Sequence, residues 1–478
     1  MKKNKMSTTT KWVLFAIIIT VLLTWILPTS YYQYSLVSDG TRNQVGLFDL
    51  FSYPTVALSY FGNIVVYILV IGGFYGVLYK IGAYGKLLNK IAEKAKGKEI
   101  IILSVIMVLL AVLTSISGAS LGLLMIVPFI ISLVLLMGYD KITAAMVTVG
   151  SIAVGMIGTT ISSTYVAGDY GIEAQNGMGI VNSILQTNST DLIIAKLIIL
   201  VIGLALLIIF TIYHGKKNKI KEVNKEETIL VPSVIAKKSK IWPIILIFDI
   251  IFIIMILSQI SWTTVFKINL FSDITTAVSN FKIFGFPIFG KLLGNVPAFE
   301  QWTIENITVL LLIGSLILSL IYKMNFKEYI DGLVSGAKKA LKPAVLVALI
   351  YCVLVIANLH PFILTIVKPL ISSKFNVFTA ILTSFISSIF NVDMYYAASN
   401  VLPYLTSVMT DTTVYSKLAL VWQTMYGFTA LVAPTSVILI AILSYLDIPY
   451  GKWLKSNWKL ILSILLMILL VLIALIFI

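Results

Sequence analysis

The sequence predicts an all-α polytopic membrane protein organised around an internal repeat, and three observations carry that prediction. Of its 478 residues, 59% are hydrophobic and 12% charged, and the mean hydropathy is +1.01, too apolar for a water-soluble globule. The lysines collect in gaps between long uncharged runs, the distribution expected of loops between membrane-crossing helices. Two distant stretches also repeat one pattern. SGASLGLLMIVPFIISL from Ser117 continues to GTTISS at Gly158, and NVDMYYAASNVLPYLTSV from Asn391 continues to APTSVI at Ala433. The spacing from Pro128 to Thr159 matches that from Pro403 to Thr435 within one residue.

Taken in order, the runs free of Asp, Glu, Lys and Arg are 12–38, 50–79, 100–139, 142–168, 197–215, 343–367, 418–446 and 460–478. A spanning helix needs ~20 mostly apolar residues, so several runs hold one helix and 100–139 holds two. Shorter spans fit at 306–322 and on either side of Asp393, giving roughly ten to twelve membrane segments. The start has a basic head and an apolar core but no small-x-small cleavage site, and is read as a retained first helix. The glycine-rich face IGGFYG at 71–76 lets helices approach closely. Segments 81–98 and 325–342 alternate lysines with apolar residues, as amphipathic helices lying at an interface do.

Orientation follows from charge. Lys2, Lys3, Lys5 and Lys11 precede the first span, and further lysines fill 80–98, 216–240, 323–342 and 452–459. The positive-inside rule puts these, with the N-terminus, on the cytoplasmic side of the cell membrane. Segments 35–58, 169–191 and 267–305, carrying Asp39, Asp49, Asp169, Glu173, Asp191, Glu300 and Glu305, then lie outside, where the last span also ends. The polar loop 214–240 divides the chain into an N-terminal membrane half, 1–213, and a C-terminal half, 241–478.

The net charge of +15 is confined to loops, which argues against a nucleic-acid face. Cys352 is the only cysteine, so one chain has neither a disulfide framework nor a thiolate metal site. Arg42 is the only arginine and falls in an outer loop, leaving no guanidinium to clamp a carboxylate within the membrane.

Backbone interrupted inside a bilayer is tolerated only where it lines a protein-enclosed cavity. A broken helix exposes N–H groups at one half-helix end and C=O groups at the other, the first suited to anions and the second to sodium. The candidate site is drawn from those breaks: Ser115, Ser117, Gly118 and Ser120, with Gly158, Thr159, Thr160 and Ser162, in the first half. In the second half it comprises Asn391, Asp393, Ser399, Asn400, Gln423, Pro434, Thr435 and Ser436. Any single Ser or Thr has a blander role, bonding back to the preceding turn. The duplicated pattern at matched spacing favours binding.

Asp393 is weighed both ways. A carboxylate in an apolar hairpin costs ~2.5–3.5 kcal/mol unless it meets a cavity or a partner. It could hold sodium, carry a coupling proton or pair with a substrate amine, or else sit in a surface turn. Asp249 lies within a span but outside both repeats, where a helix-pair hydrogen bond is expected. His360, before Pro361, is placed at an interface, and Trp453 and Trp458 beside lysines read as interface anchors.

GLFD at 46–49, VIGGFYGVLYKIGA at 70–83, and GYD at 138–140 joined to the helix ending in GTT at 158–160 resemble the YfcC-like branch of the four-carbon dicarboxylate anaerobic carriers, in the ion transporter superfamily. FKEYIDGLVSGAKKAL from Phe326 and GFTALVAPTSVILIAIL with PYGKWLK, ending at Lys455, are similar to its second half. The resemblance covers nearly the whole chain. It implies a secondary transporter of two inverted repeats, each with a re-entrant hairpin (near 115–128 and 388–410) and a broken helix (near 150–165 and 423–446), assembled as a homodimer. The chain departs from the family pattern at four places. Residues 117–122 lack two acidic residues; 391–396 replace a Pro-Ser-Gly-Ser-Gly-Gln run; Tyr426 stands where an Asp is common; and an Arg-Gly-Ile element is replaced around Tyr351.

These features together predict an ion-coupled carrier for a small carboxylate-bearing metabolite, by elevator-like alternating access, with sodium or proton as coupling ion and no other cofactor. An amino acid is favoured, since it needs one dipole-bound carboxylate and one acceptor such as Asp393. A dicarboxylate carrier of the same fold is the alternative. A polytopic membrane enzyme is disfavoured: His214 and His360 are the only histidines, and no acidic pair at metal spacing or phosphate-binding loop is present. A passive channel is a third reading, separable by counterflow.

Overall fold

In a bilayer every backbone N–H and C=O must be paired within its own segment, so each long apolar run closes into a helix. The computed structural model describes residues 8–38, 40–118, 120–161, 178–220, 239–263, 265–294 and 296–475. In the first half the elements are α1 (Thr8–Ile26), the ribbon β1 (Tyr31–Gln33) and β2 (Ser35–Val37), α2 (Leu47–Lys80), α3 (Gly82–Ala95) and α4 (Glu99–Ser117). A 3-10 turn (Gly122–Ile126) runs into α5 (Val127–Leu136); then come α6 (Lys141–Ala145), a π turn (Met146–Gly150), α7 (Ser151–Ile157), α8 (Met178–Leu185) and α9 (Ile193–Lys217).

The second half begins with α10 (Trp242–Gln259), α11 (Leu270–Asn280), the ribbon β3 (Lys282–Ile283) and β4 (Phe286–Pro287), α12 (Ile288–Leu292), α13 (Ile304–Ile321) and α14 (Phe326–Leu359). It continues with α15 (Ile363–Val367), α16 (Val377–Phe390), α17 (Met394–Ser399), α18 (Leu402–Val408), α19 (Tyr415–Val432), α20 (Val437–Tyr445) and α21 (Tyr450–Ala474). Among the described residues nine helical segments are long and apolar enough to cross a membrane. Three shorter apolar helices, Gly122–Leu136, Lys141–Ile157 and Val377–Phe390, bring the set into the expected range of membrane segments.

Contacts sort the helix ends into two groups. At the lysine-rich end, Thr9 Oγ1 donates to Ile448 O (2.9 Å), Lys219 pairs with Glu99 (3.3 Å), Lys342 with Asp447, and His214 with Asp140 (3.2 Å). At the other end, Ser30 N donates to Pro361 O (2.8 Å), Thr365 Oγ1 to Pro28 O (2.7 Å), and Ser416 Oγ to Asp191 (2.7 Å). His360 also lies there, between Tyr53 OH and Asn43 O.

The centre is the crossing of α2 and α14, each 34 residues long with an internal proline, Pro54 and Pro343. They touch through small residues. A Cβ added at Gly72 would sit 2.6 Å from both Ala340 Cβ and Gly336 O, and Gly76 abuts Gly332 and Gly336 as closely. Small faces of this kind let dispersion and weak C–H contacts replace side-chain packing between membrane helices.

Several expectations change. The fold is helical, with two short antiparallel ribbons added in the loops at 31–37 and 282–287. Segment 325–342 is not a separate interfacial helix: it is the first half of α14, started by Asn325, which accepts from Glu328 N (2.8 Å) in a capping box. Pro343 does not end it, although proline removes one ladder bond. Trp453 is fully buried and donates to Leu431 O (3.2 Å), so it is a core residue rather than an interface anchor. Trp458 is exposed, with Lys459 Nζ 5.6 Å above its ring. Asp249 makes no helix-pair hydrogen bond among the described residues, because it lies on the exposed face of α10. Asp39, Asp169, Glu173 and 221–238 of the mid-chain loop fall outside the described residues.

Candidate functional site

Each half of the chain is interrupted at two places. α4 stops at Ser117 because Gly118 takes a left-handed conformation (φ 68°), its N–H closing on Thr114 O. Residues 118–121 turn the chain, and the 3-10 turn and α5 lead away. Tyr67 and Tyr75 of α2 donate to Gly122 O and Met125 O (both 2.8 Å), tying that turn to the central crossing. α7 stops at Ile157, and Gly158 backs directly on Leu200 of α9. In the second half α16 stops at Phe390 and residues 391–393 form the tip. Val392 there has φ 46°, uncommon for a β-branched residue. α19 stops at Val432, and α20 starts at Val437 with Ser436 as N-cap, accepting from Leu439 N (3.3 Å).

These interruptions surround a cavity of about 50 Å³. One water needs ~10–15 Å³ on that measure, so the cavity holds several. Gly118, Ser120 and Leu121 line it from the first tip, Val392 to Met394 from the second, and Thr435 to Ile438 from the second break. Tyr351, Ser388, Tyr426 and Thr429 complete its polar wall. No Lys or Arg lines it. Asp393 accepts from Tyr395 N (2.8 Å) as N-cap of α17, and Tyr426 OH donates to Val392 O (3.1 Å). Thr435 Oγ1 is buried with no hydrogen-bond partner among the described residues. An orphaned hydroxyl in a polar cavity is what a bound solute, ion or water satisfies. The C-terminal end of α4 and the N-terminal end of α20 border the same space, presenting carbonyls and N–H groups respectively.

The candidate residues therefore separate. Gly118, Ser120, Asp393, Thr435 and Ser436 line the cavity. Ser436 Oγ also donates to Ala430 O (2.8 Å). Ser115, Gly158 and Thr160 form a brace between α4 and the first break: Ser115 Oγ donates to Gly158 O (2.7 Å) and lies 3.0 Å from Thr160 Oγ1, while Thr160 N donates to Ser115 O (3.0 Å). Ser117 and Thr159 bond back to Leu113 O (2.6 Å) and Met156 O (2.8 Å), the bland role weighed for each.

Asn391 is fully buried, donates to Ser387 Oγ (3.0 Å) and accepts from Asn400 Nδ2 (2.8 Å), so it holds the tip in shape. Ser399 and Asn400 line a different cavity, described below. Gln423 is buried within α19, and neither it nor Pro434 is among the residues lining the first cavity. Ser162 lies outside the described residues. Tyr351, Ser388 and Thr429 were not among the candidates. Tyr351 and Tyr426 both stand where the chain departs from the family pattern, the one signal in sequence that marked them.

Comparison with known proteins bears on the same chain. The family profile described as DcuC, C4-dicarboxylate anaerobic carrier, matches residues 6–477. Among solved structures, the YdaH transporter of Alcanivorax borkumensis is similar with a TM-score of 0.46 and 12% identity, covering 98% of each chain. No curated protein matches. The family match spans both repeats, both interruptions and the cavity, and it makes this a multi-pass membrane carrier rather than an enzyme. The chain belongs to the C4-dicarboxylate anaerobic carrier family, DcuC.

Proposed function

We propose that the chain is a cation-coupled secondary carrier of C4-dicarboxylates, acting by alternating access, with the cavity between the two tips and the second break as its solute site. The family supports the dicarboxylate over an amino acid as first substrate. The observation that carries the mechanism is that Asp393 and Thr435 line one small cavity bearing no fixed positive charge. A carboxylate on the solute is held by the N–H groups that open α20 and by the Thr435 hydroxyl. Its approach to Asp393 is unfavourable: at ~4 Å two like charges repel by ~4 kcal/mol at an effective dielectric near 20. A sodium ion or proton on Asp393 removes that repulsion, so solute and cation enter together. This is coupling by charge balance.

The movement in this reading is of the tips and breaks against the α2–α14 crossing, in the manner of an elevator. The N-terminus and the lysine-rich end face the cytoplasm of the cell. Placement in the YfcC-like branch rests on GFTALVAPTSVILIAIL and PYGKWLK. A second reading, an α-amino acid with its ammonium on Asp393, is favoured by the same lack of a fixed cation around that carboxylate.

Counterflow of labelled succinate in proteoliposomes, with and without sodium and at two pH values, tests the proposal. Succinate exchange that depends on one of the two cations, and loses that dependence in Asp393→Asn, is the expected result. Exchange of amino acids but not succinate moves the assignment to the second reading. Accumulation of neither rules out both.

A further inference from the structure

A second, larger cavity of about 510 Å³ lies toward the lysine-poor end. Its walls are the β1–β2 ribbon and the segment before it, Asn43, the end of α14 with 359–364, and Ser399 with Asn400. Two of those walls also bound the first cavity: α14 contributes Tyr351 to one and Asn358 to the other, and the second hairpin contributes 392–394 to one and 399–400 to the other. Seven residues of helix separate Tyr351 from Asn358, about 10 Å along α14 at 1.5 Å per residue. The two cavities are thus stacked along one seam between α14 and the hairpin.

What separates them is specific. Phe61 stacks on Tyr351 (centroids 4.2 Å, 11° between planes), and Tyr396 meets Phe61 edge-on at 6.2 Å. Beside the larger cavity, Asn400 Nδ2 donates to Asn358 Oδ1 (3.0 Å) and to Asn391 Oδ1 (2.8 Å). One amide therefore joins the scaffold helix, the cavity wall and the hairpin tip. The larger cavity also holds unspent hydrogen-bonding capacity. Ser30 is 1% exposed and its Oγ has no partner among the described residues. No charged side chain lines this cavity.

Resting on the proposed function, we infer that this cavity is a second solute site, an antechamber that receives the carboxylate-bearing solute before the Asn358–Asn400 contact opens to the inner cavity. Neutral hydroxyl and amide donors hold a carboxylate more weakly than charge-assisted ones, so the outer site is the weaker of the two. Weak binding at successive sites is what allows a solute to be passed on rather than trapped.

The test uses cysteine protection in full-length protein reconstituted in liposomes, in a Cys352→Ala background. Ser399→Cys reports the antechamber and Ser120→Cys the inner cavity. Each is modified with an anionic methanethiosulfonate reagent over a range of succinate concentrations. Protection at both, with half-protection of Ser399→Cys at a concentration at least tenfold above that for Ser120→Cys, is expected. Protection of Ser120→Cys alone overturns the antechamber and leaves the carrier reading standing. Equal half-protection concentrations mean one site sensed from two places, and also overturn it. No protection at either position removes both readings.

Discussion

Replacing Thr435 with Val removes a hydroxyl that no described protein group satisfies, whereas replacing Asn391 with Ala removes an amide that holds its hairpin tip together. Thr435→Val is therefore expected to leave the melting temperature unchanged or slightly raised and to weaken solute binding by about tenfold, the ~1–1.5 kcal/mol of one hydrogen bond. Asn391→Ala is expected to lower stability by roughly 2 kcal/mol, since two buried partners lose their bonds. Thermal shift with and without succinate reads both. At the lysine-rich end, burial raises the Asp140 carboxyl, but hydrogen bonds from His214 and from Thr143 outweigh it and leave Asp140 below the ordinary carboxylate value. A depressed folded value means that the stabilisation is full above ~pH 3.9 and disappears as pH falls through the lower folded value. Asp140→Ala should then cost ~1 kcal/mol at neutral pH as a lost cap, with the gap to wild type closing in acid. A constant gap across pH would show that the carboxylate charge is idle. Side-chain type alone could not assign these duties. Ser, Thr and Asn at the breaks were visible as candidates, but whether each faces the cavity or its own backbone depends on the angle at which the helix stops.

Among the elements, the α2–α14 crossing is the most sensitive to volume, because backbone meets backbone at Gly72, Gly76, Gly332 and Gly336. Gly336→Leu is expected to destabilise by about 3 kcal/mol or more, and to appear as loss of monodisperse protein in detergent. Asn358→Ala, by contrast, leaves the packing intact and cuts the amide link to Asn400. Release of ~1 kcal/mol of latch should raise reagent access to Ser120→Cys by roughly fivefold. Unaltered access would mean that the aromatic stack alone closes the seam. The long apolar runs and the 71–76 glycine face identified these elements directly from sequence. The continuity of α14 was hidden, because lysines spaced along 327–342 read as a surface helix and Pro343 as its end. Packing of that same stretch against α2 keeps it in line with the span.

At the scale of the molecule, the helix ends fall into two groups, and the lysines mark one of them. With Cys352 replaced by Ala, Tyr34→Cys should react with an impermeant thiol reagent added to intact cells, and Lys219→Cys only after permeabilisation. The opposite pattern reverses the orientation. The broad architecture was legible because lipid leaves the backbone few choices. The amide chain from Asn358 to Asn391 was not, since it joins residues brought together only when hairpin and scaffold helix meet.

The wide turn at Met146–Gly150 sets the phase of everything that follows it in α7. Beyond it Gly155 faces Ala111 and Thr114 of α4, and Gly158 faces Leu200 of α9, each with no room for a methyl group. A turn of this kind carries one residue more than an ordinary one. Deleting a single residue there would rotate the remainder by about 100°, pointing side chains where only hydrogens fit. The aim of the first break is thus fixed by a register choice two turns upstream, and insertion or deletion between 146 and 150 should silence the carrier even where no solute-facing residue is touched.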